Sequence, residues 1–246
     1  MTIKKILELT SHRPWDLPKG KWKYYQEWNN TIFLHFQVDI NELKKHIPED
    51  LEIDLFEGKA YVSVVPFTME RIRQRNIPPF PPISNFNEVN IRTYVRYKEK
   101  TGVHFLSIEG GKTLSCWVAK LLSELPYRKS SMRRTSDSFS SNNKKYKDSL
   151  FVKYQLGNKS KNKSKLELWL TERYALFQQK NDSINEFEIH HAEWPTSKIH
   201  IQELRINYPR FNNLITSKLE LAQYSKGVQV IAWGKKANKK LAITQK

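Results

Sequence analysis

The sequence contains one cysteine, Cys116, in 246 residues. An intrachain disulfide is therefore excluded, as is a zinc site built on four cysteines, and a reducing cytosol is the natural compartment. Glycine is scarce, at eight residues, and neither a phosphate-cradling glycine loop nor a G-x-S-x-G nucleophile elbow occurs. Met1–Thr10 lacks the apolar core of a signal peptide. No window approaches the roughly 18 apolar residues that span a bilayer. A cytoplasmic protein without a membrane partner is expected. Acidic residues are missing locally as well. Gly234–Lys246 has five lysines and no acid, and Arg128–Lys165 has 12 basic residues against Asp137 and Asp148. These two segments carry +5 and +10 of the net +17, which leaves the rest of the chain nearly neutral at +2.

Hydrophobic residues make up 39% and aromatics 12%, enough for a real core, and charged residues are near the usual quarter at 27%. The length fits a single domain over 1–246, with a basic loop at about 128–165 and a basic tail at 234–246. Residues 1–30 read as an irregular, aromatic-rich arm. Thr31–Val38, Leu51–Leu55, Lys59–Arg71, Phe86–Tyr97, Gly102–Ile108, Leu150–Leu156, Leu166–Leu170, Glu186–Glu193, Lys198–Ile206 and Lys218–Trp233 read as strands. Asp39 caps a short helix at Asn41–His46. Lys112–Glu124 carries helical spacing, and Thr171 opens a short helix through Gln178. Ser130–Asp148 reads as a polar basic loop. Asn76–Pro82 is a proline-stiffened connector or the rim of a pocket. The result is a strand-rich α+β fold, mostly antiparallel, with a barrel-like or cone-like sheet and two or three short helices.

One strand carries most of the chemistry. In Phe86–Val95 the two-residue period puts Val89, Ile91, Thr93 and Val95 on one face. Phe86, Glu88, Asn90, Arg92 and Tyr94 share the other. That second face is either a wet edge or the wall of a closed sheet. In the second case a buried Glu88 needs a partner, and Arg92 supplies charge and donors while Asn90 satisfies remaining lone pairs. His35 lies on the sparser face of its strand and is placed to meet Glu88. In His190-His191-Ala192-Glu193 the adjacent histidines point to opposite sides, so no metal site is expected. One histidine is expected to point inward. Glu172-Arg173-Tyr174 reads as an ion-paired corner or as part of a pocket mouth. Cys116 reads as a packing residue.

The residues that carry a family resemblance are now in view. They are His12-Arg13-Pro14-Trp15, Val65-Pro66-Phe67-Thr68-Met69, Phe86-x-Glu88-x-Asn90-x-Arg92-Thr93-Tyr94, Gly102-Val103-x-Phe105, Leu125-Pro126-Tyr127, Glu172-Arg173-Tyr174 and His191-x-x-Trp194-Pro195. Together they resemble the DUF2071 (YqjF-like) family, a branch of the acetoacetate-decarboxylase-like superfamily. The resemblance implies a β-cone with an interior cavity, in which Glu88 corresponds to one of the glutamates that line the pocket. The polar face of Phe86–Val95 together with that fold leads us to expect substrate contacts at Asn90, Arg92 and Tyr94, with His35, Tyr127 and His191 as further candidates. The decarboxylases use a lysine pair for Schiff-base chemistry. Here Tyr127 and Arg128 stand where that pair is expected, with Lys129 one step late.

Three readings follow. The first is a pocket that binds or transforms a small organic acid without a cofactor, with Glu88 handling a proton. The second is a Schiff-base decarboxylase using Lys129. The third is a non-enzymatic binder of nucleic acid or anionic surfaces through the basic segments, although they lack a stacking platform. Specific nucleic-acid binding is therefore not expected. The relatives' assembly leaves a homo-oligomer open.

Overall fold

The computed structural model describes residues 1–113, 125, 127–160, 162–215 and 218–239. Fourteen strands follow in chain order: β1 (Tyr24–Val38), β2 (Glu52–Ile53), β3 (Ala60–Gln74), β4 (Phe86–Tyr97), β5 (Lys100–Gly110), β6 (Tyr127–Lys129), β7 (Ser131–Arg134), β8 (Ser138–Asn143), β9 (Asp148–Lys159), β10 (Ala175–Lys180), β11 (Ser183–His190), β12 (Thr196–Asn207), β13 (Leu219–Ala232) and β14 (Lys236–Lys239). Neighbouring strands run β14-β11-β10-β5-β4-β3-β1-β13-β12-β9-β8-β7. Because β11 also pairs with β13, the strands from β11 to β13 close on themselves in a ring. Two narrow seams complete it. At one, Ile189 and His190 of β11 face Ala232 and Ile231 of β13. At the other, β5 and β10 run parallel and meet at Val103 and Leu176. Gly102 makes that seam feasible, because a Cβ there would collide with the Ala175 carbonyl.

The alternation of β1, β3 and β4 now has two buried destinations. Outward-facing Ile32, Leu34, Phe36, Val62, Val64, Val89 and Ile91 pack against Phe139, Leu150, Val152 and Tyr154 of the β8–β9 layer. Inward-facing Phe33, Val65, Phe67, Met69 and Phe86 join Trp194, Val228 and Val230 inside the ring. A strand buried on both faces costs exposure nowhere, which is why Phe86–Val95 is buried almost throughout.

Several local expectations are corrected. The arm contains a helix, Ile3–Glu8, started by the Thr2 side chain and anchored by Ile6 beside Tyr25, Ile231 and Trp233. Leu51–Leu55 shortens to the two-residue β2. Ser130–Asp148 is not a loop, since β7 and β8 form a hairpin there. Its inward positions are Phe139, Ser141 and Asn143, and two of these three are polar, so hydropathy gives no alternation to read. Helix and strand are exchanged around residue 170. Lys165–Thr171 is a helix, and the expected helix after Thr171 is β10. Ser164 and Glu167 form a reciprocal capping box, and Leu166, Trp169 and Leu170 then fall on one helical face. Ser164→Ala is expected to cost about 1 kcal/mol of stability, read as a lowered unfolding midpoint in denaturant. The expected helix Lys112–Glu124, with Cys116, lies outside the described residues from 114 onward. So does the tail beyond 239. Among the described residues, no helix is long and apolar enough to cross a membrane.

Candidate functional site

The ring encloses a cavity of about 690 Å³. Its wall is set by the register between β3 and β4. Descending from the rim, the inward pairs are Met69 with Phe86, Phe67 with Glu88, Val65 with Asn90, and Ser63 with Arg92. The helix Lys165–Thr171 closes the lower end, with Trp169 against Tyr61 and Tyr94. The upper end is rimmed by Ile77, Pro78, Phe80 and Ile83, so the proline-rich Asn76–Pro82 segment belongs to the pocket edge.

Glu88 sits midway down. It is buried, and Tyr127 donates from its hydroxyl to Glu88 Oε2 at 3.0 Å. Burial pushes the Glu88 carboxyl up to about 8, although hydrogen bonds from Tyr127 and Asn90 pull the other way. At neutral pH the group is therefore mostly protonated.

Arg92 does not pair with Glu88. Four residues along a strand separate same-face side chains by roughly 13 Å, and Asn90 stands between them. The Arg92 guanidinium turns downward instead. Its Nη2 donates to the Leu170 carbonyl at 3.3 Å and it lies over the Phe33 ring at 5.6 Å. Arg92 Nε has no hydrogen-bond partner among the described residues, and no carboxylate within them pairs with the side chain. Tyr94 donates to the same Leu170 carbonyl at 3.0 Å. Arg173 Nε donates to Trp169 O at 2.7 Å, and its Nη1 to Asp54 at 2.6 Å. The C-terminal carbonyls of the closing helix are thus capped by two guanidiniums and a phenol. Both guanidiniums line the cavity, and the buried Asp54 carboxylate pairs with Arg173.

Behind this floor runs a relay. Tyr94 Oη meets Ser63 Oγ at 2.6 Å, and Ser63 Oγ meets His35 Nδ1 at 2.7 Å. Burial first, and Arg92 second, push the His35 pKa down to about 3, so this imidazole is neutral at pH 7. His191 lines the cavity with its ring against Tyr174 at 4.9 Å and its Nδ1 near the Ala192 carbonyl. Burial lowers its pKa, while the nearby Glu172 opposes the shift. Burial alone would raise Glu172, but His191, Lys163 and Tyr174 outweigh it and hold it below the usual range.

Set against known proteins, residues 25–229 match the profile of DUF2071, a family of uncharacterized conserved proteins. The chain belongs to this family. It is similar to YqjF of Bacillus subtilis strain 168, with 33% identity over 185 residues, which is 72% of this chain and 76% of that one. Two solved structures share its architecture. Acetoacetate decarboxylase from Legionella pneumophila superposes with a TM-score of 0.62 at 14% identity, covering 96% of each chain. The enduracididine biosynthesis enzyme MppR complexed with pyruvate gives 0.59 at 8% identity, covering 92% of this chain and 93% of that one. The fold is acetoacetate decarboxylase-like.

In this DUF2071 chain the residues picked from sequence divide three ways. Glu88, Asn90, Arg92, Tyr127 and His191 line the cavity. Tyr94 and His35 lie behind its floor, and His35 meets Ser63 rather than Glu88. Lys129 is exposed, and its Nζ donates to the Ser130 carbonyl at 2.7 Å, outside the lining. The lysines that do line the cavity among the described residues are Lys23 and Lys235, and both are exposed. Sequence reading missed Phe33, Trp28 and Trp194 as wall residues, while Arg173, read as an ion-paired corner or part of a pocket mouth, pairs with Asp54 and lines the floor. The alternation Val65-x-Phe67-x-Met69 was the available signal for the wall.

Proposed function

We propose that this DUF2071 chain binds an organic acid in its cavity and acts on it through Glu88. One observation carries the reading: Arg92 is buried in the cavity wall and no carboxylate among the described residues pairs with it. A buried guanidinium without a counter-charge is costly, and a ligand carboxylate supplies both the charge and a matching pair of acceptors. The neutral Glu88 does not repel such an anion. It stands above it as a proton donor or acceptor, with Asn90 and Tyr127 orienting the ligand. Tyr94, Ser63 and His35 hold the floor rigid, and His191 contributes a neutral imidazole to the wall. The pyruvate in MppR, an organic acid in a related fold, supports the same class of ligand.

The test is calorimetric titration with carboxylic acids and with their primary amides at pH 7. Binding of an acid at least tenfold tighter than its amide is expected, with loss of that preference in Arg92→Leu. Equal binding of acid and amide rejects the reading. Lys129→Ala is expected to leave acid binding unchanged, because Lys129 lies outside the lining.

A further inference from the structure

The spacing of the site defines the kind of acid, given the organic-acid reading above on which this inference rests. The buried cations of the cavity, Arg92 and Arg173, group at the closed bottom around the last carbonyls of the helix Lys165–Thr171, while the more exposed Lys23, Arg73 and Lys235 also line it. Glu88 lies higher, two inward positions above Arg92 on β4, with the Tyr127 hydroxyl of β6 hydrogen-bonded to it. The rim residue Phe86 lies six residues from Arg92, roughly 20 Å along the strand. A short keto acid seated on Arg92 leaves most of that length empty. The volume makes the same point, since about 690 Å³ is the liquid share of roughly twenty waters.

The wall above the floor is mostly apolar, with Glu88, Asn90, Tyr127 and His191 as its polar members. Phe33, Val65, Phe67, Met69, Trp28 and Trp194 form its apolar part, and Trp28 stacks on Trp194 at 6.2 Å. Water held there would find few partners, so an apolar chain is the favoured occupant. On the Ile77–Ile83 side the rim continues this character outward. Ile77 is 52% exposed and Phe80 is 59% exposed, both at the opening. Exposed apolar side chains beside an apolar shaft give a path for an apolar tail. A polar metabolite would gain nothing from any of these surfaces.

We infer that the acid is a medium-chain or aryl-alkyl carboxylate, bound head-down on Arg92 with its apolar tail running past Glu88 toward the Ile77–Phe80 rim. Arg92 sets the head position, and the chain length sets which carbon meets Glu88 and Tyr127. The inference asks two separate things of the ligand: a charged head and an apolar body.

Titration of the full chain with butanoate, octanoate and decanoate separates these demands, with 1-decanol as the uncharged comparison and all ligands below their aggregation limits. The dissociation constant is expected to fall at least hundredfold from butanoate to decanoate, and decanol is expected to bind at least tenfold more weakly than decanoate. Arg92→Leu should remove the preference for decanoate over decanol and spare decanol binding. Val65→Trp, placed in the middle of the shaft, should weaken decanoate far more than butanoate. The length series on the unaltered protein decides the question even where a variant does not fold. Tight binding of butanoate with no gain on lengthening overturns the long-acid inference and leaves the organic-acid reading standing. Equal binding of decanol and decanoate, or no binding by any acid, overturns both.

Discussion

Replacing Glu88 by glutamine is expected to stabilise the fold at pH 8 and above, with a much smaller effect near pH 5. The sign follows from where the proton sits. In the unfolded chain a glutamate ionises near its ordinary value, while in the folded protein burial raises Glu88 to about 8. Between those two values the folded state holds a proton that the unfolded state has lost, so stability falls as pH rises through that window. Above pH 8 both states are ionised and the full penalty is in place. It is on the order of 4 kcal/mol for the fully buried group. Glutamine keeps the hydrogen-bonding shape opposite Tyr127 and Asn90 and carries no charge to desolvate. The melting-temperature difference between Glu88→Gln and the unaltered chain should therefore grow from pH 5 to pH 8 and then level, reaching on the order of 10 °C. A difference that stays flat over that range would show that Glu88 is not held neutral.

The same residue shows what a sequence can and cannot say here. The two-residue period of Phe86–Val95 puts Glu88, Asn90 and Arg92 on one face, and they line one wall. Period alone does not say what the face meets. That depends on the distant seams at Gly102 and at Ile189–His190, which turn a sheet into a ring. The expected Glu88–Arg92 pair failed for a reason that strand geometry already contains, namely the distance between same-face positions four residues apart. Tyr127 is a partner from a short strand that pairs in parallel with β5, and no local pattern announces it. The β7–β8 hairpin is illegible because two of its three inward residues, Ser141 and Asn143, are polar. Ser141 donates at 3.3 Å to Oε2 of a second buried acid, Glu109, on the opposite side of the sheet from the cavity, and Asn143 holds Ser130, which donates to the same oxygen at 2.5 Å. A buried polar layer of this kind looks like a solvated loop in any hydropathy profile. The closing helix is readable in principle from Ser164-x-x-Glu167, but its leucines fit a short strand equally well.

Arg173→Met is expected to cost on the order of 3–5 kcal/mol, because it strands a buried carboxylate. Asp54 is 7% exposed, and its two charged partners are Arg173 at 2.6 Å and Arg96 at 3.3 Å. The Arg96 side chain is 44% exposed, so solvent screens most of what it offers. Arg173 also caps the Trp169 carbonyl and stacks over the Trp169 ring at 4.2 Å and the Tyr94 ring at 4.9 Å. Methionine replaces part of that packing and none of the charge. Asp54→Leu is expected to be comparably costly, since it leaves the Arg173 guanidinium buried against Arg92. The double variant removes both charges at once, so its cost should fall below the sum of the single costs by at least about 1 kcal/mol. Denaturant unfolding of the four proteins closes the cycle. Strict additivity would mean that Asp54 and Arg173 do not hold each other, and that the floor beneath Arg92 is fixed by the helix carbonyls alone. Coupling would place the floor's rigidity in the ion pair, and the double variant should then bind acids more weakly than the unaltered chain even though Arg92 is retained.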